Sequence, residues 1–559
     1  GGFAGQGVLV LVNGERLAGE TMDNVDFERL NLSDVERIEI VRGAASALYG
    51  SNAAGGVINI ITRQQIHRPY ELRWEMRNGR HDESRQNLFF ATGQGRITQL
   101  LTLSRTAADE YRLQNPGDVT RHTKYSLNRV PGGRTFQARE RFVVRPDDHW
   151  TLSGNVGYYF RQRDFDPGER NRYRDFAGGV KADWNGHNGR RAEVGYRFDQ
   201  YDKSDYYVAT GLDVRDYSNV QHTVRALYST APLPLWAEGH TLELTGGGDL
   251  ARDYLLTYQF RGDAHRQFTA DGYVQADFHL GAQWEAVATA RYDYFSVGHH
   301  GCPTTKLTAR YRNGAWTLRA SYGQGFRAPT LKEKYMNFFL NDIFIIRGHE
   351  QLRPEVSHNW HVSADWSKGG TEVSSSVSYN RVLDRITTAE PTTERDGLSG
   401  LPFVDYINVP RLTVWNVQLS VNHRRRLGSG TLSGTFQYAF THEQAPTVGT
   451  LTPYMPARPH SATARLAYDR RFSPQYAVGV QLSGRFLSAL SGREYNSATG
   501  ASRTLHYPAY ALLRLALTQQ MGTAVRLNLT ADNLLNYRPH IYYYNAPLTD
   551  GLNLSVGMT

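Results

Sequence analysis

Side chains able to ligate a metal collect in two stretches of this chain. One runs from Tyr335 and Met336 to His349, and the other is the pair His299-His300. Imidazole, phenolate and thioether are all competent axial ligands for haem iron. The segment between Tyr335 and His349 carries Phe338, Phe339 and Phe344, an apolar and aromatic content that suits a flat hydrophobic ligand. With 19 histidines in the chain, some fall in such segments by chance. Other chemistry is thin. His349-Glu350 opens like a zinc-protease helix, but Arg353 stands where the second histidine is needed. Gly50 to Gly56 has no Gly-Lys-Ser/Thr ending and is no phosphate loop, and no serine nucleophile elbow occurs. No enzyme is expected.

These donors need elements to carry them. From about residue 70 onward the dominant pattern has period two. Trp150, Leu152, Val156, Tyr158 and Phe160 alternate with Thr151, Ser153, Asn155 and Gly157. The same alternation recurs at Val274 to Leu280, Trp284 to Tyr294, Trp360 to Trp366, Leu432 to Phe440 and Val525 to Ala531. The runs reach about ten residues, where strands of soluble domains average roughly five or six. Tight turns such as Asn313-Gly314 and Gly428-Ser429-Gly430 alternate with longer polar stretches, expected as loops near 203–219 and 330–352. Short turns on one side and long ones on the other are the arrangement of a membrane barrel. At about 22 residues per strand and connection, residues 64–559 predict an even count near 22 antiparallel transmembrane strands.

Composition agrees. The 559 residues are 40% hydrophobic with a mean hydropathy of −0.53, and apolar runs such as Val8 to Val12 fall far short of a membrane helix. A barrel escapes that test because its strands alternate lipid-facing and lumen-facing residues. Tyr 34, Phe 23 and Trp 9 would supply aromatic girdles. The net charge of +9 is spread along the chain, which excludes a nucleic-acid binder and favours a membrane rich in anionic headgroups. The single cysteine, Cys302, excludes an intramolecular disulfide and is expected as a small loop residue.

The first 63 residues read differently, as a small α+β unit. They hold a strand from Val8 to Val12, the turn Asn13-Gly14, a short helical turn capped by Asn31 or Ser33, and strands at Arg37 to Val41 and Val57 to Thr62. Val35-Glu36-Arg37-Ile38-Glu39-Ile40-Val41-Arg42-Gly43, Ser46-Ala47-Leu48-Tyr49-Gly50 and Gly55-Gly56-Val57-Ile58-Asn59-Ile60-Ile61-Thr62-Arg63 closely resemble the plug signature of TonB-dependent outer-membrane receptors. Leu11-Val12-Asn13-Gly14 resembles the strand and turn that precede it, with Asn where Asp is usual. Tyr379 to Ile386 looks like a family mid-barrel strand, and Ala531 to Tyr537 like the penultimate one.

The resemblance implies a 22-stranded barrel occluded by an N-terminal plug, with 1–63 the later part of that plug. It implies a cell outer-membrane location, contact with outer-membrane lipids and lipopolysaccharide, and energy from a TonB-ExbB-ExbD complex. The cargo would be a small-molecule metal chelate, with no resident cofactor or metal, and a surface lipoprotein could assist. Glu36, Arg37, Glu39 and Arg42, with Gly43, are expected to fix the plug by charge pairs with the barrel wall, since such pairs position without sealing. Two departures stand out: the TonB box and first part of the plug are absent, and the ending Gly557-Met558-Thr559 lacks the family's terminal aromatic residue. No signal peptide precedes Gly1, so the true N-terminus is expected to lie upstream.

Gly325-Phe326-Arg327-Ala328-Pro329 and His349-Glu350-Gln351-Leu352-Arg353-Pro354-Glu355 resemble the paired boxes prominent in haem receptors, related versions of which occur in siderophore and cobalamin receptors. Haem receptors place a histidine between the boxes, whereas residues 330–348 contain none and His349 opens the second box. Haem is the expected cargo, bound by His349 with Tyr335, Met336 or His299-His300. A ferric siderophore and cobalamin are the alternatives, and a passive porin or a docking surface for another protein is the reading from another class.

Overall fold

The computed structural model describes the chain outside residues 1–7, 22–23, 32–34, 43–50, 52, 54–55, 64–65, 67, 114–128, 261, 263, 341–343, 445–456, 497–500, 540–546 and 548. Twenty-two antiparallel strands close a barrel, from Tyr70–Asn78 to Asn553–Met558. Closure comes from the last strand pairing with the first, Val556 opposite Asn78 and Met558 opposite Met76. A closed barrel leaves no unpaired strand edge in the hydrocarbon.

One rim carries tight turns at Gly95-Arg96, Gly314-Ala315, Gly369-Gly370 and Gly428-Ser429. The glycines at 95, 314, 369 and 428 all have φ between +55° and +62°, the conformation these two-residue links require. The other rim carries the long connections, of which 328–354 is the most structured. The loop expected near 203–219 is not a loop. Strands Arg191–Tyr207 and Leu212–Ser229 run through it and leave a turn at 208–211. Its polar residues misled the reading because strands that rise beyond the membrane face water on both sides. Cys302 likewise is no loop residue: it sits in strand His300–Asn313, buried with Phe295, Phe326 and Ala328.

Period two places the apolar members of each strand outside. Val180, Leu250, Val274, Leu307, Val362 and Leu466 are all more than half exposed, as a hydrocarbon-facing belt demands. Trp150 opposite Trp184 and Trp316 opposite Trp366 mark the girdle near the tight turns.

Inside, a four-stranded sheet is built from Val8–Val12, Glu15–Arg16, Val35–Arg42 and Gly56–Thr62, with Val8–Val12 parallel to Gly56–Thr62 at its centre. Leu9, Leu11, Ala53 and Val57 form its small core, with Val41 packed on it. The turn at Asn13-Gly14 has φ of +55° and +85°. Asn13 accepts from the Thr62 N–H and donates to the Thr62 hydroxyl, both at 2.9 Å. The helical turn expected after Asn31 or Ser33 falls largely on residues 32–34, outside the described ones. A described 3-10 turn instead spans Phe27–Arg29, where the Asp26 carboxylate accepts from the Glu28 N–H.

Candidate functional site

Two arrangements converge on the plug. The first lies at the outer end. Strand Trp316–Arg327 leads into the short helix Leu331–Tyr335, capped by a reciprocal box in which the Thr330 hydroxyl accepts from the Glu333 N–H and Glu333 accepts from the Thr330 N–H. Arg327 fixes this helix from below. Its guanidinium donates to both Glu333 oxygens (3.0 and 2.9 Å) and to Glu355 (2.7 Å), and all three side chains are nearly fully buried. Glu355 also accepts from the Ile386 N–H, which ties the helix to the neighbouring strand Thr371–Thr388. The two sequence boxes therefore meet as one ion-paired clamp. The Ala328 N–H donates to Ser51 Oγ of the plug at 3.0 Å, so the clamp reaches the plug directly. A cavity of about 220 Å³ lies beneath the helix between the plug and the wall.

Above the clamp, Tyr335 stacks face to face on His265, with ring centroids 3.8 Å apart and planes 3° from parallel. Burial, helped by Glu350, raises the Tyr335 phenol above its ordinary pKa, and burial lowers that of Lys334. Lys334 Nζ donates to the Val297 carbonyl at 3.1 Å, which joins the helix to the 296–299 turn. A Cβ at Gly298 would meet His300 Nε2 at 2.6 Å and Lys334 Nζ at 2.7 Å, so the two side chains crowd this turn. The two outer loops thus stand side by side, and they bring Lys334 and His300 together.

The other expected donors do not converge. Met336 is buried and pairs through its backbone with Phe260. His299 has a left-handed backbone (φ +50°) and holds its Nδ1 3.1 Å from the Tyr294 hydroxyl. His349 is exposed, and its Nδ1 accepts from the Gln351 N–H. The apolar content of this loop has another use: Phe344 and Ile345 are buried, in a strand parallel to Phe403–Asp405. His265, which sequence reasoning passed over, is the partner that makes Tyr335 part of a plate. Among the described residues, no group of three or more His, Cys, Asp or Glu side chains is placed to hold a metal ion.

The second arrangement fastens the plug to the wall, and it differs from the charge pairs expected. Arg37 pairs with Glu36 (3.1 Å) and Glu39 (2.8 Å) of its own strand, and all three are about half exposed. That strand is an edge of the plug sheet, so its charges find each other and water. Arg42 lies at the strand's end, and Gly43 falls outside the described residues.

The wall contacts come instead from Asp26 and Arg29. Asp26 accepts from the Tyr201 hydroxyl (2.8 Å), the Tyr159 hydroxyl (3.2 Å) and Arg161 (2.9 Å). Arg29, 1% exposed, sits 3.3 Å from Asp175 and 3.8 Å from Asp199, with its guanidinium over the Tyr201 ring. Burial opposes that charge, but the two carboxylates hold Arg29 firmly protonated. The Arg29 carbonyl accepts from Gln137 and Arg139, and Gly19 donates to Asn219. A Cβ at Gly19 would meet the Tyr201 ring at 2.4 Å, so the plug backbone lies directly on the wall. Tyr159, Asp175, Tyr201 and Asn219 occupy a single cross-strand row set by strand register.

Comparison with known proteins places these features. The family model for the TonB dependent receptor-like beta-barrel matches residues 73–534, and that for the TonB-dependent receptor plug domain matches residues 1–57. A vitamin B12 transporter of Photobacterium profundum is 25% identical over 383 residues, which are 66% of this chain and 59% of that protein. An iron-regulated outer membrane virulence protein of Vibrio cholerae is 25% identical over 406 residues, 69% of this chain and 60% of that one. The chain thus spans less than two thirds of the length of these relatives. The crystal structure of the siderophore receptor PirA from Acinetobacter baumannii superposes with a TM-score of 0.77 at 15% identity, over 99% of this chain and 90% of that one.

Proposed function

This chain belongs to the TonB-dependent outer-membrane receptor family, and from that premise we propose that it imports a ferric siderophore by energised transport. The observation that carries the energised part is the latch around Asp26 and Arg29. A plug held to the wall by buried charge rather than by a hydrophobic seal stays shut at rest, and an external pull can release it. The TonB-ExbB-ExbD complex is the partner that would supply the pull.

For cargo, the outer site favours a siderophore over the haem expected from sequence. Haem binding through His349 with Tyr335, Met336, His299 or His300 is less favoured by their placement: His349 is exposed, Met336 is buried and His299 is held by the Tyr294 hydroxyl. The Tyr335–His265 plate instead offers an aromatic surface, which suits an aromatic iron chelate. The relatives point the same way at a coarser level, since iron-regulated and siderophore receptors stand among them. Cobalamin remains the second reading because a vitamin B12 transporter also matches.

Titration with ferric catecholate siderophores, haem and cobalamin, followed by quenching of intrinsic fluorescence, tests this choice. Ferric catecholate should bind the parent, and Tyr335→Ala should weaken it roughly fivefold to tenfold, the loss of an aromatic contact worth about 1 kcal/mol or slightly more. Binding of haem or cobalamin alone overturns the siderophore assignment.

A further inference from the structure

Asparagine is followed by glycine at Asn13-Gly14, Asn78-Gly79, Asn185-Gly186, Asn188-Gly189 and Asn313-Gly314. The dipeptide carries a chemistry of its own. The glycine nitrogen stands within reach of the preceding side-chain amide carbon, and with no Cβ on the glycine little crowds the approach. The fold decides whether the two atoms meet, because the glycine nitrogen and the asparagine backbone must both be free to move.

Four of the steps are tied. The Gly14 N–H donates to Asn59 Oδ1 at 2.9 Å, and Thr62 holds the Asn13 amide. The Gly79 N–H donates to the Glu83 carbonyl at 2.8 Å, while Asn78 pairs with Ser84 on one side and Val556 on the other. The Gly186 N–H donates to the Arg190 carbonyl at 2.8 Å, and both backbone groups of Asn185 are bonded to His149. The Gly189 N–H donates to the Gly186 carbonyl at a longer 3.2 Å, which makes Asn188 the least restrained of these four.

Asn313-Gly314 differs on each count. Asn313 ends strand His300–Asn313, and its exposed side chain has no hydrogen bond among the described residues. The Gly314 N–H likewise has no acceptor among them, and nothing lies within 4 Å of where a Cβ would stand. Pairing with the neighbouring strand Trp284–Phe295 starts at Tyr311, so Asn313 projects two residues beyond it and pairs only with Trp316. A single closing pair therefore holds this step, at a rim that solvent reaches.

We propose that Asn313 is a site of spontaneous deamidation, with water as the co-reactant. Solvent base takes the proton from Gly314 N, because a planar peptide nitrogen with a delocalised lone pair is a poor nucleophile. Asn313 leaves its extended conformation, at the cost of the closing pair, and Gly314 N bonds to Asn313 Cγ. The Cγ–Nδ2 bond breaks, and Nδ2 takes a proton from solvent and departs as ammonia. The cyclic imide adds a water and opens at either carbonyl. The product is aspartate, or its isomer in which the main chain runs through the former side chain. No atom changes oxidation state. Either product places a new carboxylate beside the girdle pair Trp316 and Trp366, and the isomer also lengthens the main chain at the pair that closes the hairpin.

The test incubates the full chain in detergent, at neutral and at mildly alkaline pH, in water enriched in heavy oxygen. Peptide mass spectrometry then reads the label at each asparagine, and the label excludes conversion before incubation. The same chain unfolded in denaturant is the reference, where the shared dipeptide should give comparable rates at all the sites. In the folded chain Asn313 should react roughly tenfold faster than Asn13, Asn78 or Asn185, since each of those must first break at least one further hydrogen bond. Asn188 should fall between, and the rate at Asn313 should rise with pH because the amide must lose its proton. Gly314→Ala, which crowds the approach, should suppress labelling at Asn313 and leave the other sites unchanged. Heat-modifiable gel migration checks that this variant is folded; if it is not, the ranking of sites in the parent decides alone. Labelling at Asn313 no faster than at the tied sites, Asn188 ahead of Asn313, or undiminished labelling in folded Gly314→Ala overturns the proposal.

Discussion

Replacing Arg29 with alanine is expected to leave the barrel closed but to loosen the plug within it. Arg29 answers Asp175 and Asp199 from a position 1% exposed, and its removal leaves Asp175, 13% exposed, with no other cation within ion-pair distance among the described residues. Asp199 keeps Arg197 at 3.1 Å. Breaking a buried pair from one side costs about 3–5 kcal/mol, because an uncompensated charge remains. The loss falls on the plug–wall contact, since barrel strands pair through their backbones. Cells carrying Arg29→Ala should therefore become sensitive to antibiotics too large for porins, and the purified variant should show current bursts in planar bilayers that the parent lacks. Heat-modifiable migration should be unchanged. The companion Arg29→Ala with Asp175→Asn, which removes the stranded carboxylate, should recover part of the closure. Parental resistance and a silent bilayer trace in Arg29→Ala would show that the plug is held elsewhere.

The second large effect is expected at Arg327. Its guanidinium serves Glu333 and Glu355 at once, and each is buried. Arg327→Met leaves two carboxylates close together without their cation, again a cost of about 3–5 kcal/mol. Here the helix Leu331–Tyr335 absorbs the loss, because five residues have little helical stability of their own. Hydrogen exchange should accelerate over 330–349 and stay slow in the barrel strands, and cargo affinity should fall more than tenfold as Tyr335 leaves its plate on His265. Arg327→Lys should be only a partial rescue, since an ammonium cannot make the bidentate contact to Glu333 and reach Glu355 together. Unchanged exchange over 330–349 in Arg327→Met would remove the clamp from the account.

The barrel was legible because its signal is repeated and physical. Each strand must place apolar residues in lipid every second position, and Trp150, Leu152, Val156 and Tyr158 show it within one run. The outer loops were legible only in part. Polar residues near 203–219 looked like a loop, yet strands above the membrane are wetted on both faces and lose the alternation that identifies them. The aromatic residues of 335–344 looked free for a ligand, but Phe344 and Ile345 are buried, and Ile345 lies opposite Phe403 in a parallel strand pair.

The latch was missed for a related reason. Attention to the lipid face leaves the other face unread, and there Tyr159-x-Arg161, Tyr173-x-Asp175 and Asp199-x-Tyr201 repeat a tyrosine with a charged residue two positions away. Only cross-strand register shows that Tyr159, Asp175 and Tyr201 fall in one row facing Asp26 and Arg29. Glu36, Arg37 and Glu39 were more conspicuous because they lie in a recognisable motif, but an edge strand gives their charges to water. Conversely, Arg327 and Glu355 stand in the two sequence boxes with no reason visible there, and the ion pair between them, shared with Glu333, supplies one.

A plugged barrel should move its cargo only when energy is supplied. Iron-55 uptake from a ferric catecholate siderophore, measured in cells with and without a protonophore, tests it most directly. Surface binding should persist under the protonophore while accumulation falls to background, because a latched plug leaves no diffusive path. Accumulation that continues at the same rate after the proton-motive force has collapsed would contradict it and make the protein a passive pore.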